Sequence, residues 1–111
     1  MATISNLYVD AGATYSNIIT VTASNGQALD LTNYTVASQM RKSYQSSTAY
    51  DFTASIFDAV NGKIRLQLTD SDSADIPAGR WLYDVEITSA GGTKTRVVEG
   101  IVTVNPQITQ V

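Results

Sequence analysis

Three groups of residues in this chain have types and spacings that bear on chemistry. Asp70, Asp72 and Asp75 form the one acidic cluster. A calcium loop of the EF-hand kind sets oxygen ligands at alternating positions, with a central glycine and a terminal glutamate. Here Ala74 holds the fifth position, and Pro77 and Ala78 come after it, so the ligand spacing fails and no metal site is assigned. The same residues suit a capped helical turn whose carboxylates complement the positive end of the helix dipole. Asp84 and Glu86 are two apart, which on a strand sets them about 7 Å apart on one face, near a glycosidase carboxylate separation. Lys94 and Arg96 on the adjoining hairpin arm are their expected ion partners, and a cross-strand pair of opposite charge stabilises by about 0.2 to 1 kcal/mol. With no further element of a catalytic centre in the chain, ion pairing is preferred over catalysis. The third group is Arg41-Lys42 and the polar run Ser43-Tyr44-Gln45-Ser46-Ser47-Thr48. It could touch a carbohydrate or a neighbouring protein, and a mobile hairpin loop is the simpler reading.

What the chain lacks narrows the field further. It has neither His nor Cys, which removes the commonest general base, thiolate nucleophiles, disulfides and nearly every transition-metal site. Ten acidic and seven basic residues leave a net charge of -3, without the cation excess that neutralises a phosphate backbone, so nucleic acid is not an expected partner. Met1 leads into Ala2, Thr3, Ile4, Ser5 and Asn6 with no basic stretch ahead of an apolar run, so no secretory signal is expected. No apolar stretch approaches the roughly 20 residues that span a bilayer, so no membrane partner is expected and the chain reads as a soluble protein. No catalytic, cofactor-binding or metal residue is assigned, and the protein is not expected to be an enzyme.

The elements around these residues read as strands. At 111 residues and 43% hydrophobic content the chain is expected to form one domain, 1–111, whose core needs no metal or disulfide. Apolar residues recur with a period of two almost throughout. Ile64, Leu66 and Leu68 alternate with Lys63, Arg65 and Gln67; Trp81, Tyr83, Val85 and Ile87 share one face opposite Asp84 and Glu86. Val98, Val102 and Val104 point inward from a long last strand, and Gly100 between them is expected to leave room for the ring of Trp81 or Tyr83. Tyr34, Val36, Ser38 and Met40 form another inward set, with Ser38 its one polar member. Ser24-Asn25-Gly26, Asn61-Gly62 and Ala90-Gly91-Gly92 are hairpin signals. They predict that Tyr15–Thr22 pairs with the segment next in the chain, Asp51–Phe57 with Lys63–Leu68, and Trp81–Thr88 with Thr93–Val104. Thr69 or Asp70 caps a single helical turn ended by Pro77-Ala78-Gly79. The sum is an all-β, antiparallel sandwich of about seven strands with one short helical turn. Residues 1–12 serve as an edge strand or an arm, and 107–111 as an exposed tail.

With the strands placed, Asp30-Leu31-Thr32-Asn33-Tyr34, Asn61-Gly62-Lys63-Ile64, Ile76-Pro77-Ala78-Gly79-Arg80-Trp81-Leu82-Tyr83-Asp84 and Val98-Glu99-Gly100 stand in a telling order. From about Ala11 to Pro106 the chain resembles the small immunoglobulin-like β-sandwich structural proteins of tailed bacteriophages. It is similar to the N-terminal module of upper baseplate proteins, and more so to short virion proteins of contractile-tailed phages infecting cyanobacteria. The resemblance implies an immunoglobulin-like fold and a non-catalytic structural or assembly role in the tail, baseplate or neck. It implies other virion proteins as partners, a homo-oligomer as one arrangement, and synthesis in the host cytoplasm before incorporation into the virion. It carries over no catalytic or ligand-binding residue. In the baseplate proteins the module leads into a longer chain, and the end at Val111 argues for a free-standing subunit. The competing expectation is an adhesive or carbohydrate-binding module that stacks sugars on loops around Tyr44 and Tyr50.

Overall fold

The computed structural model describes residues 3–23 and 25–106. Ser24 of the expected Ser24-Asn25-Gly26 turn, and the expected tail 107–111, lie outside the described residues. In chain order come β1 (Thr3–Ile4), β2 (Leu7–Asp10), β3 (Tyr15–Thr20), β4 (Thr35–Arg41), β5 (Ala49–Asp58), β6 (Lys63–Leu68), the helical turn α1 (Asp70–Ala74), β7 (Gly79–Thr88) and β8 (Lys94–Asn105). Alternation decides the inner faces as expected. Ile64, Leu66 and Leu68 of β6, Trp81, Tyr83, Val85 and Ile87 of β7, and Val98, Val102 and Val104 of β8 are all buried in one core. Leu7 and Val9 of β2 join them from the other end of the sequence. Ser38 is buried too, and its hydroxyl donates to the Asp84 carbonyl at 2.6 Å, which satisfies the one polar group on that inner face.

The strands form a sandwich. One layer runs β8-β7-β4-β5, with β1 and β2 in tandem along the open side of β8, and the other runs β5-β6-β3. β5 belongs to both: Ala49 to Phe52 pair with β4, and Thr53 to Asp58 pair with β6. Immunoglobulin constant-type sandwiches carry C-F-G in one sheet and A-B-E-D in the other. Here β4-β7-β8 reproduce C-F-G and β3-β6-β5 reproduce B-E-D. The departure is the first strand, which lies parallel to β8 instead of antiparallel to β3. Among the described residues eight strands stand where about seven are expected, because that first strand is split at Ser5-Asn6.

Local chemistry explains the recurring motifs. In Asp30-Leu31-Thr32 the Asp30 carboxylate accepts from Thr32 N at 2.9 Å and from the Thr32 hydroxyl at 2.6 Å, while Leu31 drops into the core. The turn anchors the connection that leads into β4. Asn61-Gly62 closes the β5-β6 hairpin, and a Cβ at Gly62 would sit 2.6 Å from the Val21 carbonyl and 2.7 Å from that of Leu29. At φ +68 this position favours glycine on both counts. Trp81 occupies the place of the immunoglobulin corner tyrosine, and its Nε1 donates to the Pro77 carbonyl at 2.9 Å. Thr69 caps α1, its hydroxyl accepting from Asp72 N at 3.1 Å. The turn is pinned by Ser73, fully buried, whose hydroxyl accepts from Gly12 N at 3.0 Å and donates to the Ala13 carbonyl at 2.8 Å.

Two expectations are corrected. β3 does not pair with the segment next in the chain; Tyr15 to Thr20 pair antiparallel with β6. The local reversal around Gly26 ends after one bridge, Thr22 to Ala28, because burial of Leu31 draws the chain away. Gly100, in turn, does not make room for a ring. The backbone of Ser5 crosses over it, and a Cβ there would lie 2.2 Å from the Ser5 carbonyl oxygen. Tyr83, opposite Gly100 in the ladder, donates its phenol to that same carbonyl. Ser5 N donates to Glu99 O at 2.9 Å, and the Asn6 side chain accepts from Ile101 N at 3.1 Å in place of a backbone carbonyl.

Burial of Tyr83 has a measurable consequence. Loss of solvation pushes its phenol up to about 12, outweighing the hydrogen bond to Ser5, and the neighbouring Tyr15 adds to the rise. An unfolded tyrosine ionises near about 10, so between these values the native state holds the proton that the unfolded state has lost. Stability contributed by Tyr83 is therefore intact below about pH 10 and falls as pH rises towards 12. Urea titrations from neutral to alkaline pH should show this loss in the native sequence and a shallower one in Tyr83→Phe; equal slopes would contradict it.

Candidate interaction face

The outer face of the β1-β8-β7-β4-β5 layer gathers most of the residues singled out from the sequence. Cross-strand register arranges them in rows. One row runs Asp51, Gln39, Asp84, Glu99, Ile4 across β5, β4, β7, β8 and β1. A second runs Arg41, Leu82, Ile101 and ends on Asn6. A third places Ala37, Glu86 and Arg96 side by side. The middle rows line a shallow groove of about 580 Å³, walled at one end by Ser43 and Tyr44.

A β-bulge sets the electrostatics of this face. Strict alternation from Val98 would turn Arg96 into the core. The register shifts between Val85 and Glu86, leaving Val97 without a partner, and this extra residue swings Arg96 outward. Its guanidinium then meets Asp84 at 3.1 Å and Glu99 at 3.3 Å. Asp84 and Glu99 are directly opposite each other, an arrangement that repels, and the one arginine offsets it. Burial, reinforced by the charge of Glu86, raises the Asp84 carboxyl above its ordinary value despite the pull of Arg96. The expected pairing of Asp84 with Arg96 is thus found. Lys94 instead stands opposite Thr88, away from both carboxylates.

The Arg41-to-Thr48 loop is held from below. Arg41 donates to the Ser46 carbonyl at 2.6 Å and to the Gln39 side chain at 3.2 Å, so its charge lies under the loop. Lys42 turns the other way, 4.8 Å from the centre of the Trp81 ring. Tyr44 is 78% exposed at the loop tip, and Ile4 at the far edge of the groove is 73% exposed. Tyr50 is half-buried, with its ring edge-on to Trp81 at 5.3 Å, so Tyr44 is the more exposed of the two aromatic side chains. Asp70 and Asp72 sit in the first turn of α1 and Asp75 closes it; among the described residues no three metal-ligating side chains converge.

Sequence reasoning found the charges of this face but not its edge. Ser5 and Asn6, which fasten β1 and β2 to β8 beside the groove, carry no pattern that marks them. Gly100 was the only signal, and it marks a close backbone approach. The arrangement offers exposed apolar side chains, Ile4, Ile101 and Tyr44, with Leu82 half-buried between them, among mutually balanced charges, which suits contact with another macromolecule.

Among curated proteins none matches the chain. A solved chain from a photo-crosslinking study of multimeric cell-adhesive interactions of VGSC beta subunits is similar at 11% identity, covering 94% of this chain and 92% of that one at a TM-score of 0.41. The profile of the BppU N-terminal domain, the N-terminal domain of the phage baseplate upper protein, matches residues 4–73. That span runs from β1 through most of α1 and takes in strands of both layers, though not β7 and β8; it is more than half the sequence, and the chain belongs to the BppU N-terminal domain family.

Proposed function

We propose that this protein is a non-catalytic structural component of a tailed-phage virion, in the tail, baseplate or neck, working by contact with other virion proteins. The observation that carries the reading is the family match over residues 4–73. The outer face of the β1-β8-β7-β4-β5 layer is the surface it assigns to those contacts, since Ile4, Tyr44 and Ile101 expose apolar area there beside paired charges. Nucleic acid and membrane are not partners in this reading, in keeping with a net charge of -3. Synthesis in the host cytoplasm followed by incorporation into the particle completes it. The ordered motifs from Asp30 to Gly100 support the finer kinship with short virion proteins of contractile-tailed cyanobacterial phages.

Mass spectrometry of purified virions tests the proposal. The protein should be present at stoichiometric levels, and Ile101→Glu should reduce its incorporation without altering its melting temperature. Absence from particles would overturn the reading. Absence combined with glycan binding that is lost on Tyr44→Ala would transfer the function to a carbohydrate-binding module resting on Tyr44.

A further inference from the structure

We infer that the free edge of β3 is a self-pairing site, at which a second copy of this chain adds its own β3 in antiparallel register and joins the two β5-β6-β3 sheets into one. The opening is topological. In the immunoglobulin order the first strand covers the outer edge of B, and here the first strand lies on β8, so β3 ends its sheet with nothing beyond it among the described residues.

The backbone of that edge is set for pairing. Val21 N donates to Gly62 O at 2.8 Å in the ladder with β6. Backbone groups alternate sides along an antiparallel strand, so Tyr15, Asn17 and Ile19 also face β6, and Ser16, Ile18 and Thr20 turn their N–H and C=O groups to the open side. Native sheets usually guard such an edge with charge, proline or a bulge. From Ala11 to Leu29 this chain has no charged residue and no proline, between Asp10 and Asp30. The ladder from Tyr15 to Thr20 has no register shift.

The occupant is a second copy because the strand is its own complement. A two-fold axis at Ile18 sets Ile18 against Ile18 of the second copy and Ser16 against Thr20. The outward groups of all three positions then meet in hydrogen-bonded pairs, for about six bonds between chains. Ile18 is 43% exposed, so the pair also covers apolar surface, and apposed β-branched side chains favour the contact. No like charges meet on the axis, although each chain carries a net -3. Arg65, opposite Ile18 on β6 and stacked 4.2 Å from the Phe57 ring centre, lies a strand away from the seam in each copy.

Sedimentation equilibrium from micromolar to millimolar concentration, with amide hydrogen exchange monitored over the same range, tests this. A monomer–dimer equilibrium should appear, and the Ser16, Ile18 and Thr20 amides should gain protection with concentration while those of Asn17 and Ile19, already bonded to β6, do not change. Ile18→Lys should weaken association by about tenfold or more while keeping the melting temperature, because it places like charges on the axis. A protein monomeric throughout would overturn the inference. So would a dimer whose three outward amides stay unprotected, or one indifferent to Ile18→Lys. Protection of those amides only on adding another virion protein would assign the edge to that protein instead.

Discussion

Truncation of Tyr83 to alanine should destabilise the protein by about 3 to 5 kcal/mol, the range for removing a large aromatic side chain from a core. Tyr83 is buried at the centre of β7, packs edge-on to Phe52 at 6.1 Å and fastens the Ser5 backbone through its hydroxyl. Its removal opens a cavity between the sheets and leaves the Ser5 carbonyl without its partner. Urea unfolding monitored by tryptophan fluorescence measures the loss. A melting temperature within about two degrees of the native protein would contradict the placement of this ring, since a domain of this size shifts by several degrees per kcal/mol.

Adding a side chain at Gly100 should cost stability at the upper end of the about 1 to 3 kcal/mol seen for overpacking. What a new Cβ meets is main chain, the Ser5 carbonyl oxygen at 2.2 Å and its carbon at 2.9 Å, which cannot rotate aside as a side chain would. The obstruction begins at the first carbon, so Gly100→Ala should cost nearly as much as Gly100→Val. If the space were shaped for a ring, alanine would be accepted easily. Equilibrium unfolding of the two variants separates these cases, and exchange of the Ser5 and Ile101 amides shows whether β1 peels away to relieve the clash. A neutral Gly100→Ala would overturn the assignment.

Residues whose fate is decided by near neighbours were legible in the sequence. Alternation in Lys63–Leu68 and Gly79–Thr88 needs only a period of two to place Ile64, Leu66, Trp81 and Tyr83 inside. The Thr69 cap and the Asn61-Gly62 hairpin are likewise chemistry within a few residues. What escaped depends on contacts far along the chain. β3 carries a hairpin signal just after it, but burial of Leu31 overrides that signal and sends the strand to β6. The pairing of Arg96 with Asp84 was expected, yet the bulge at Val97 that makes it possible was not. Gly100 reads from the sequence as room for the ring of Trp81 or Tyr83, whereas what approaches is the backbone of Ser5, between β1 and β2 and almost the whole chain away. The candidate face was therefore visible as charges and an aromatic loop, and invisible as a surface.

The parallel seating of β1 and β2 on β8 also sets an order of events in time. Partners along this seam are 95 residues apart, as in the bonds from Ile101 to Asn6 and from Asn105 to Asp10. Closing so long a loop is entropically expensive and is repaid only once the intervening strands are packed. During synthesis Leu7 and Val9 emerge well before β8 and stay without their sheet neighbour until it has left the ribosome. Hairpins such as β5-β6 can close within a short stretch of nascent chain, whereas the amino-terminal strand waits for nearly the whole sequence. Strands made early in this domain are thus among the last secured, and until then two apolar side chains remain open to capture by a chaperone or by another nascent chain.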